Sequence, residues 1–439
     1  MGEWRRVQLG ELAEIYDGPH ATPRKVASGA LFLGISNLAQ GRLDLSETEH
    51  LSDDDFAKWT RRVTPRAGDV VFSYETRLGE AALIPHGLRA CLGRRMGLLR
   101  AREGVDSRFL LYAYLGPAFQ ETLRQRTVHG STVDRIPLID MGSFPIEVPA
   151  LPTQRAIARI LGALDDKIEL NRKTNATLEA MARALFKSWF VDFDPVRAKA
   201  EGRAPAGMDP ATANLFPSEL IDSELGLIPE GWRISTVEQL TTLVTKGTTP
   251  SKSQGYTTHG IRFVRVNAID GHGEILSDQL LHIDCETDDA LSRSRLCAGD
   301  ILVSIAGTIG RVAVVEGWLL PANTNQAVAL LRPDTSLVEP DLLFRHATST
   351  AIQRHFNERI VHAVQANLSL STIKAAKIAL PDRETQRALS APISSFHESI
   401  RRNRHESQTL ARVRDALLPR LLSGELPVDA AERAVEEVA

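Results

Sequence analysis

The sequence predicts a mixed α/β (α+β) chain built as an internal repeat, in which two globular parts alternate with two long helices that pair antiparallel as a coiled coil, giving a pseudo-two-fold layout. Three observations predict it. From Pro152 to Trp189, apolar or small residues recur in 4-3 spacing at Ile157, Leu161, Leu164, Ile168, Leu178, Ala182, Leu185 and Trp189, with Asn171 and Asn175 at the two intervening positions and charges on the other faces. That is a heptad stripe on one helix. Adding 232 to each position gives Leu389, Ile393, Phe396, Ile400, Asn403, Ser407, Leu410, Arg414, Leu417 and Leu421, so eight of the ten layers stay apolar or repeat the Asn. The stretches ahead of each stripe also repeat in order.

Residues 1–150 read as strands and short helices forming the first globular domain. The apolar runs LFLGI (31–35), GDVVFSY (68–74) and FPIEV (144–148) are bounded by Gly, Pro and Asn, as strands are. SRFLLYAYLGPAFQETLRQR (107–126) has helical periodicity, interrupted near Gly116-Pro117. The first long helix occupies 151–192, and a Pro/Gly-rich connector fills 193–231, with five prolines between Pro195 and Pro229. The second globular domain, 232–380, restarts the order: Trp4-Arg5 matches Trp232-Arg233, LFLGISNL (31–38) matches IRFVRVNA (261–268), and AGDVVFSYETRLG (67–79) matches AGDILVSIAGTIG (298–310). VDSRFLL (105–111) likewise matches VEPDLLF (338–344), and VPALPTQRA (148–156) matches LPDRETQRA (380–388). The second long helix spans 381–425, and 426–439 is an acidic tail expected to fray.

A helix of this kind is roughly 55 Å long at ~1.5 Å per residue, more than a small domain needs to cover its own core, so it reads as a spacer. Asn171 and Asn403 fall in equivalent mid-seam layers, where a polar pair costs some stability and fixes register. Pro392 is placed in the first turn of the second helix, and Pro419 should kink or end it.

Composition narrows the function. A net charge of −3 is unhelpful to a protein gripping nucleic acid alone. Residues 1–150 hold 19 Lys+Arg against 19 Asp+Glu and 232–380 hold 14 against 14, while the helical stretches are mildly basic at nine against six (151–200) and eight against six (381–425). Any phosphate-facing surface is therefore local. No run approaches the ~20 apolar residues of a membrane span, and MGEWRRVQLGEL resembles neither a signal nor a transit peptide, so a cytoplasmic location is expected, with no membrane partner. Cys91, Cys285 and Cys297 form no CxxC pair and read as plain buried thiols, with no metal site.

The familiar catalytic motifs are missing: no GxxxxGK[ST] loop, HExxH, GxSxG elbow or paired Cys/His ligands. AGTIGR (306–311) reads as a tight turn rather than a dinucleotide loop. His129 and His362 occupy matching places that repeat architecture explains. Asp69 and Asp300, each after a Gly at a strand head, read as turn residues. No catalytic residue is assigned.

The block LPTQRAIARILGALDDKIELNRKTNATLEAMARALFKSWFVDFDPVRAKAEG, the phrase SELGLIPEGW leading into the second domain, ALLPRLLSGEL (416–426), the repeated AGD strands and Gly130-Ser131-Thr132 with Ile136 carry a family resemblance over essentially the full chain. The sequence resembles the specificity subunit of type I restriction-modification systems. The resemblance implies two target recognition domains, each reading one half of a bipartite site in double-stranded DNA, with the helical pair fixing the spacing and docking two methyltransferase subunits, which restriction subunits join. No cofactor would be bound by this chain. S-adenosylmethionine, ATP and magnesium would belong to the partner subunits. Two other readings are a catalytically silent coiled-coil adaptor and a diverged DNA-modifying enzyme acting alone.

Under the resemblance, the candidates for DNA contact are polar loop residues at which the copies differ or which suit phosphate. In the first copy they are Thr22, Arg24 and Lys25 in the loop 17–25, Arg77, Arg94 and Arg95, and Ser131 and Thr132. The second copy offers Lys246, Thr248, Thr249 and Lys252 in the loop 245–252, Thr308, Asn325 and Gln326, and Gln365 and Asn367. Asn323-Thr324-Asn325-Gln326 is matched to Leu92-Gly93-Arg94-Arg95, and Gln365 and Asn367 to Thr132 and Asp134.

Overall fold

The strand Arg5–Gln8 pairs antiparallel with Pro145–Val148, so each globular part is closed just before a long helix begins. The same closure recurs where Arg233–Thr236 pairs with Lys377–Leu380. The computed structural model describes residues 4–19, 22–39, 41–130, 133–250, 255–271, 273–362 and 366–436. Contacts divide the chain into two units, one made of 1–173 with 403–439 and the other of 174–402.

In the first unit the buried, β-rich runs form two four-stranded sheets. One is antiparallel in the order Ala13–Asp17, Met96–Ala101, Val70–Ser73, Ala81–Leu83. The other runs Ala90–Leu92, Ala30–Leu33, Glu49–Leu51, Lys25–Val26. Helices Ser107–Leu115 and Pro117–Arg126 cover the first sheet, and Tyr114 packs its ring, tilted, 5.5 Å from Phe72 and 5.3 Å from Phe119. The break between them is the extended backbone of Gly116, after which Pro117 takes the first helical position, where its missing N–H costs nothing. A Cβ at residue 116 would lie 2.4 Å from Leu422 Cδ1, so that helix pair sits directly on the end of the second long helix.

The first long helix runs Leu151–Phe190 and the second Arg383–Leu422, 40 residues each. Within the first unit their partners descend as the first helix ascends: Asp165 accepts from Arg414 at 2.8 Å, Lys167 pairs with Glu406 at 3.3 Å, and Asn171 donates to the Asn403 carbonyl at 3.3 Å. The packing is antiparallel. Ile157, Leu161 and Leu164 are buried with Leu410, Leu417 and Leu421, and Ile168 packs half-buried beside them. At the root of each helix a buried glutamine ties it to the preceding domain. Gln154 accepts from the Asp106 N–H at 3.0 Å and donates to the Pro149 carbonyl at 2.9 Å, and Gln386 repeats this with the Glu339 N–H and the Pro381 carbonyl.

The second unit repeats the arrangement. Its antiparallel sheet is Thr241–Lys246, Val328–Pro333, Ile301–Ser304, Val312–Val314, and its smaller sheet is Leu281–Ile283, Ile261–Val264, Ala322–Thr324. Ala182, Phe186, Trp189 and Phe190 enter the same core as Leu389 and Ile393, with Leu185 and Phe396 half-buried against it. Ile400 is buried, whereas Leu178 is half-buried and joins no core cluster.

Several expectations need correction. Pro392 lies in the third turn of its helix, because Asp382 caps the helix earlier by accepting from the Glu384 and Thr385 N–H groups at 3.0 Å. The helix does end three residues after Pro419. The tail does not fray at once: Val428–Glu436 is helical, and Ala431, fully buried, is flanked by Val428 and Val435 on one apolar face. The proline-rich segment folds into helices Asp194–Ala200 and Pro210–Asn214 and a hairpin, Leu220–Ser223 with Gly226–Pro229. Phe193, Val196, Phe216 and Ile228 bury themselves there, with Trp189 5.6 Å from the Phe216 ring. Of the cysteines only Cys91 is buried; Cys285 and Cys297 are exposed. Among the described residues no helix is long and apolar enough to cross a membrane, and no His/Cys/Asp/Glu group could hold a metal ion.

Candidate nucleic-acid interface

Strand register decides which loops meet. In the first unit Asp17 stands opposite Gly97 and Ser73 opposite Met96, so the loop after residue 17, the turn 74–80 and the approach 93–95 leave from one edge of the sheet. A fourth segment, 128–136, joins them through the Ile136 N–H, which donates to the Tyr74 carbonyl at 2.9 Å, and through a bridge between Glu75 and Arg135. Gly18 is needed where the first loop departs, since a Cβ there would lie 2.4 Å from the Met96 carbonyl oxygen.

The second unit builds the same edge. Ser304 stands opposite Val328 and Lys246 opposite Ala329, and the Leu368 N–H donates to the Ile305 carbonyl at 2.9 Å. Ala306 bridges Asn367, and Gly247 passes so close to Thr324 that no side chain would fit. AGTIGR is the turn between two strands of this sheet, with Gly307 and Gly310 in the left-handed region.

Most described candidates converge on these two edges. Arg77, Arg94 and Arg95 gather on the first. On the second, Thr249 donates its hydroxyl hydrogen to Gln326, Asn325 accepts from the Ala327 N–H at 3.2 Å, and Thr308 and Asn367 are exposed. Lys246 ends its strand there and Thr248 is exposed in the loop that follows. Thr22 is exposed in the first-copy loop, but Arg24 and Lys25 are carried to the far side of the smaller sheet. Lys25 lies three strand spacings from Ala90–Leu92, about 14 Å, and pairs with Glu49, while the Arg24 N–H bonds Asp55 at 3.0 Å. Ser131, Thr132, Lys252 and Gln365 lie outside the described residues, as does the side chain of His362.

Backbone pairing also shifts the alignment of the copies by one residue. Leu33 faces Leu92 as Val264 faces Thr324, and the Tyr74 N–H bonds the Arg95 carbonyl at 3.2 Å as the Ile305 N–H bonds that of Ala327 at 2.8 Å. Arg94 therefore corresponds to Gln326, and Arg95 to Ala327.

Acidic partners hold much of this edge's positive charge. Arg77 pairs with Glu80 at 3.0 Å and Arg95 Nε with Glu75 at 2.7 Å, while Arg94 is exposed. The Tyr74 hydroxyl donates to Asp17 at 2.9 Å, and burial first, then that bond, suppresses its acidity, so it stays a neutral donor. Asp17 and Glu75 could not be assigned from sequence, because their pairings need two strands to be in register. His129 pairs with Asp134 at 3.1 Å on the exposed face.

At the opposite end of the same strands in each unit, a buried aspartate pairs with a part-buried arginine. Asp69 takes both Arg100 Nε (2.9 Å) and Nη2 (2.7 Å) and accepts from the Arg66 N–H at 2.8 Å. Asp300 does the same with Arg332, at 2.8 Å twice, and with the Cys297 N–H at 2.7 Å. The turn reading of these aspartates holds, and the arginine is what it lacked.

A family model described as the type I restriction modification DNA specificity domain matches residues 1–180 and again 229–412, one match over each copy of this edge. The chain belongs to this family. Among type I specificity subunits, that of the HindI enzyme of Haemophilus influenzae is 29% identical over 67% of this chain and 72% of its own. The MjaIX specificity subunit of Methanocaldococcus jannaschii is 24% identical over 84% and 79%. The crystal structure of a type-I restriction-modification system S subunit from M. genitalium shares the fold, with a TM-score of 0.57 over 96% of both chains at 14% identity. The chain is a specificity subunit, and its role is DNA sequence recognition rather than catalysis.

Proposed function

We propose that each sheet edge reads one half of a bipartite sequence in double-stranded DNA and that the helical pair sets the distance between the halves. The observation that carries this is one backbone edge built twice with different side chains: Glu75, Thr76, Arg77, Arg94 and Arg95 in one copy stand where Ala306, Gly307, Thr308, Gln326 and Ala327 stand in the other. Arginine suits guanine, and Gln suits adenine. Helices of 40 residues span ~60 Å, ample for half-sites one turn apart at ~34–36 Å.

Two methyltransferase subunits dock on the helices and restriction subunits join them. S-adenosylmethionine, ATP and magnesium are held by those partners, and the complex acts in the cytoplasm. Methylome sequencing of a host carrying the system tests the reading: a two-part motif with a fixed gap, changed in one half only by substitutions in one edge, is the expected result. Methylation with no bipartite preference sinks it, and an unchanged motif after substitution at both edges favours an adaptor.

A further inference from the structure

The two edges differ most at one spot. In the first unit Thr76 and Arg95 both adopt left-handed backbone, each with φ 69°. A β-branched residue there is an outlier, and the second copy places Gly307, φ 74°, at the position of Thr76. Where the repeat meets the same backbone demand with glycine, the first copy keeps a side chain at a conformational cost. Such strain persists when something else depends on the side chain.

Around it the first copy assembles a trio that the second lacks. Glu75 Oε2 lies 2.7 Å from Arg95 Nε, and Arg95 Nη1 lies 3.5 Å from Thr76 Oγ1. The equivalent residues, Ala306, Gly307 and Ala327, offer no polar side chain. With Nε engaged by the carboxylate, the two Nη groups of Arg95 form the outward fork, and Nη2 has no partner among the described residues. The side chain is 41% exposed on the converging edge. A guanidinium braced on one side and open on the other is arranged for the O6 and N7 acceptors of guanine in a major groove.

We propose that Arg95 is a specificity-determining residue that reads a guanine in the half-site of the N-terminal domain, with Glu75 and Thr76 as its positioning residues. This rests on the two-edge reading of function. It also assigns the copies different chemistry, since the second edge has no arginine at this place.

The test uses the assembled methyltransferase complex purified with this chain, on duplexes in which each guanine of the recognised sequence is replaced in turn by 7-deazaguanine, which lacks the N7 acceptor. The wild-type complex should methylate one such duplex about ten- to a hundredfold more slowly. Arg95→Ala and Arg95→Lys complexes should methylate it as they do the unmodified duplex, because the fork is gone in both. Glu75→Gln should reduce the discrimination at that same base while leaving the melting temperature unchanged, which a purely structural ion pair would not do. If Arg95→Ala keeps the wild-type sensitivity to every substituted guanine, or if no substitution slows the wild type, the assignment to Arg95 is overturned while sequence preference itself survives. A wild-type complex with no duplex preference overturns both this assignment and the reading it rests on.

Discussion

Asn171 Nδ2 lies 2.8 Å from Glu406 Oε2 on the opposite long helix, and the same amide reaches the Asn403 carbonyl and the Ser407 hydroxyl. One side chain thus fixes the register of two helices. Asn171→Ala should lower the stability of the first unit by about 1–2 kcal/mol, read by urea denaturation at neutral pH. Glu406 is held below the usual carboxylate range, chiefly by this hydrogen bond. A depressed folded pKa contributes stability above the unfolded value and loses it as pH falls through the folded one. The gap between wild type and variant should therefore narrow on acidification below ~4.3.

Asp300 is 1% exposed and is bonded by both Arg332 nitrogens and a backbone N–H. Asp300→Ala removes the acceptor and leaves a part-buried guanidinium behind it. The second unit should lose about 3 kcal/mol, and Asp69→Ala should cost the first unit a similar amount. Thermal melts of the two variants check the equivalence of the copies.

His346 is buried against Phe186 and Phe190, its Nε2 has no hydrogen-bond partner among the described residues, and burial pushes its pKa down to about 3. The unfolded chain takes up a proton near pH 6.5, the folded one only near 3, so stability falls as pH drops between them, by about 1.4 kcal/mol per pH unit at most. His346→Phe should flatten that fall. Denaturation midpoints at pH 7 and pH 5 will show whether the variant gains on wild type in acid.

Cys91 is buried and its thiol pKa is pushed up to about 12, whereas Cys285 and Cys297 are exposed. A thiol reagent on the native protein should label two cysteines quickly and the third only on unfolding. Three fast labels would contradict the packing around Cys91.

Thr76→Gly relieves a left-handed β-branched residue, φ 69°. It should raise the stability of the first unit by about 1 kcal/mol, after the extra entropy glycine brings to the unfolded chain. A scan showing a lower melting temperature would mean that Thr76 contributes contacts outweighing its strain.

Local periodicity made the helices legible: Ile157, Leu161 and Leu164 announce themselves by spacing, and their partners Leu410, Leu417 and Leu421 by the repeat. What depended on register was not legible. The one-residue slip between Arg95 and Ala327 is invisible in sequences with so few identities, and only the bonds from Tyr74 and Ile305 fix it. Arg100 with Asp69 and Arg95 with Glu75 join strands far apart in the chain, so neither pairing could be read from composition or motif. Pro392 misled because a helix start was sought at a proline, when Asp382 had already provided one.

The division of the chain has a consequence for synthesis. Residues 174–402 form one unbroken stretch, but the unit containing 1–173 is completed only by 403–439. On the ribosome, at roughly 5–20 residues per second, the nascent N-terminal portion waits some tens of seconds with Ile157, Leu161 and Leu164 bare before Leu410, Leu417 and Ala431 emerge to cover them. The first domain to be translated is thus the last to finish folding, and during that wait its naked stripe is a natural perch for chaperones.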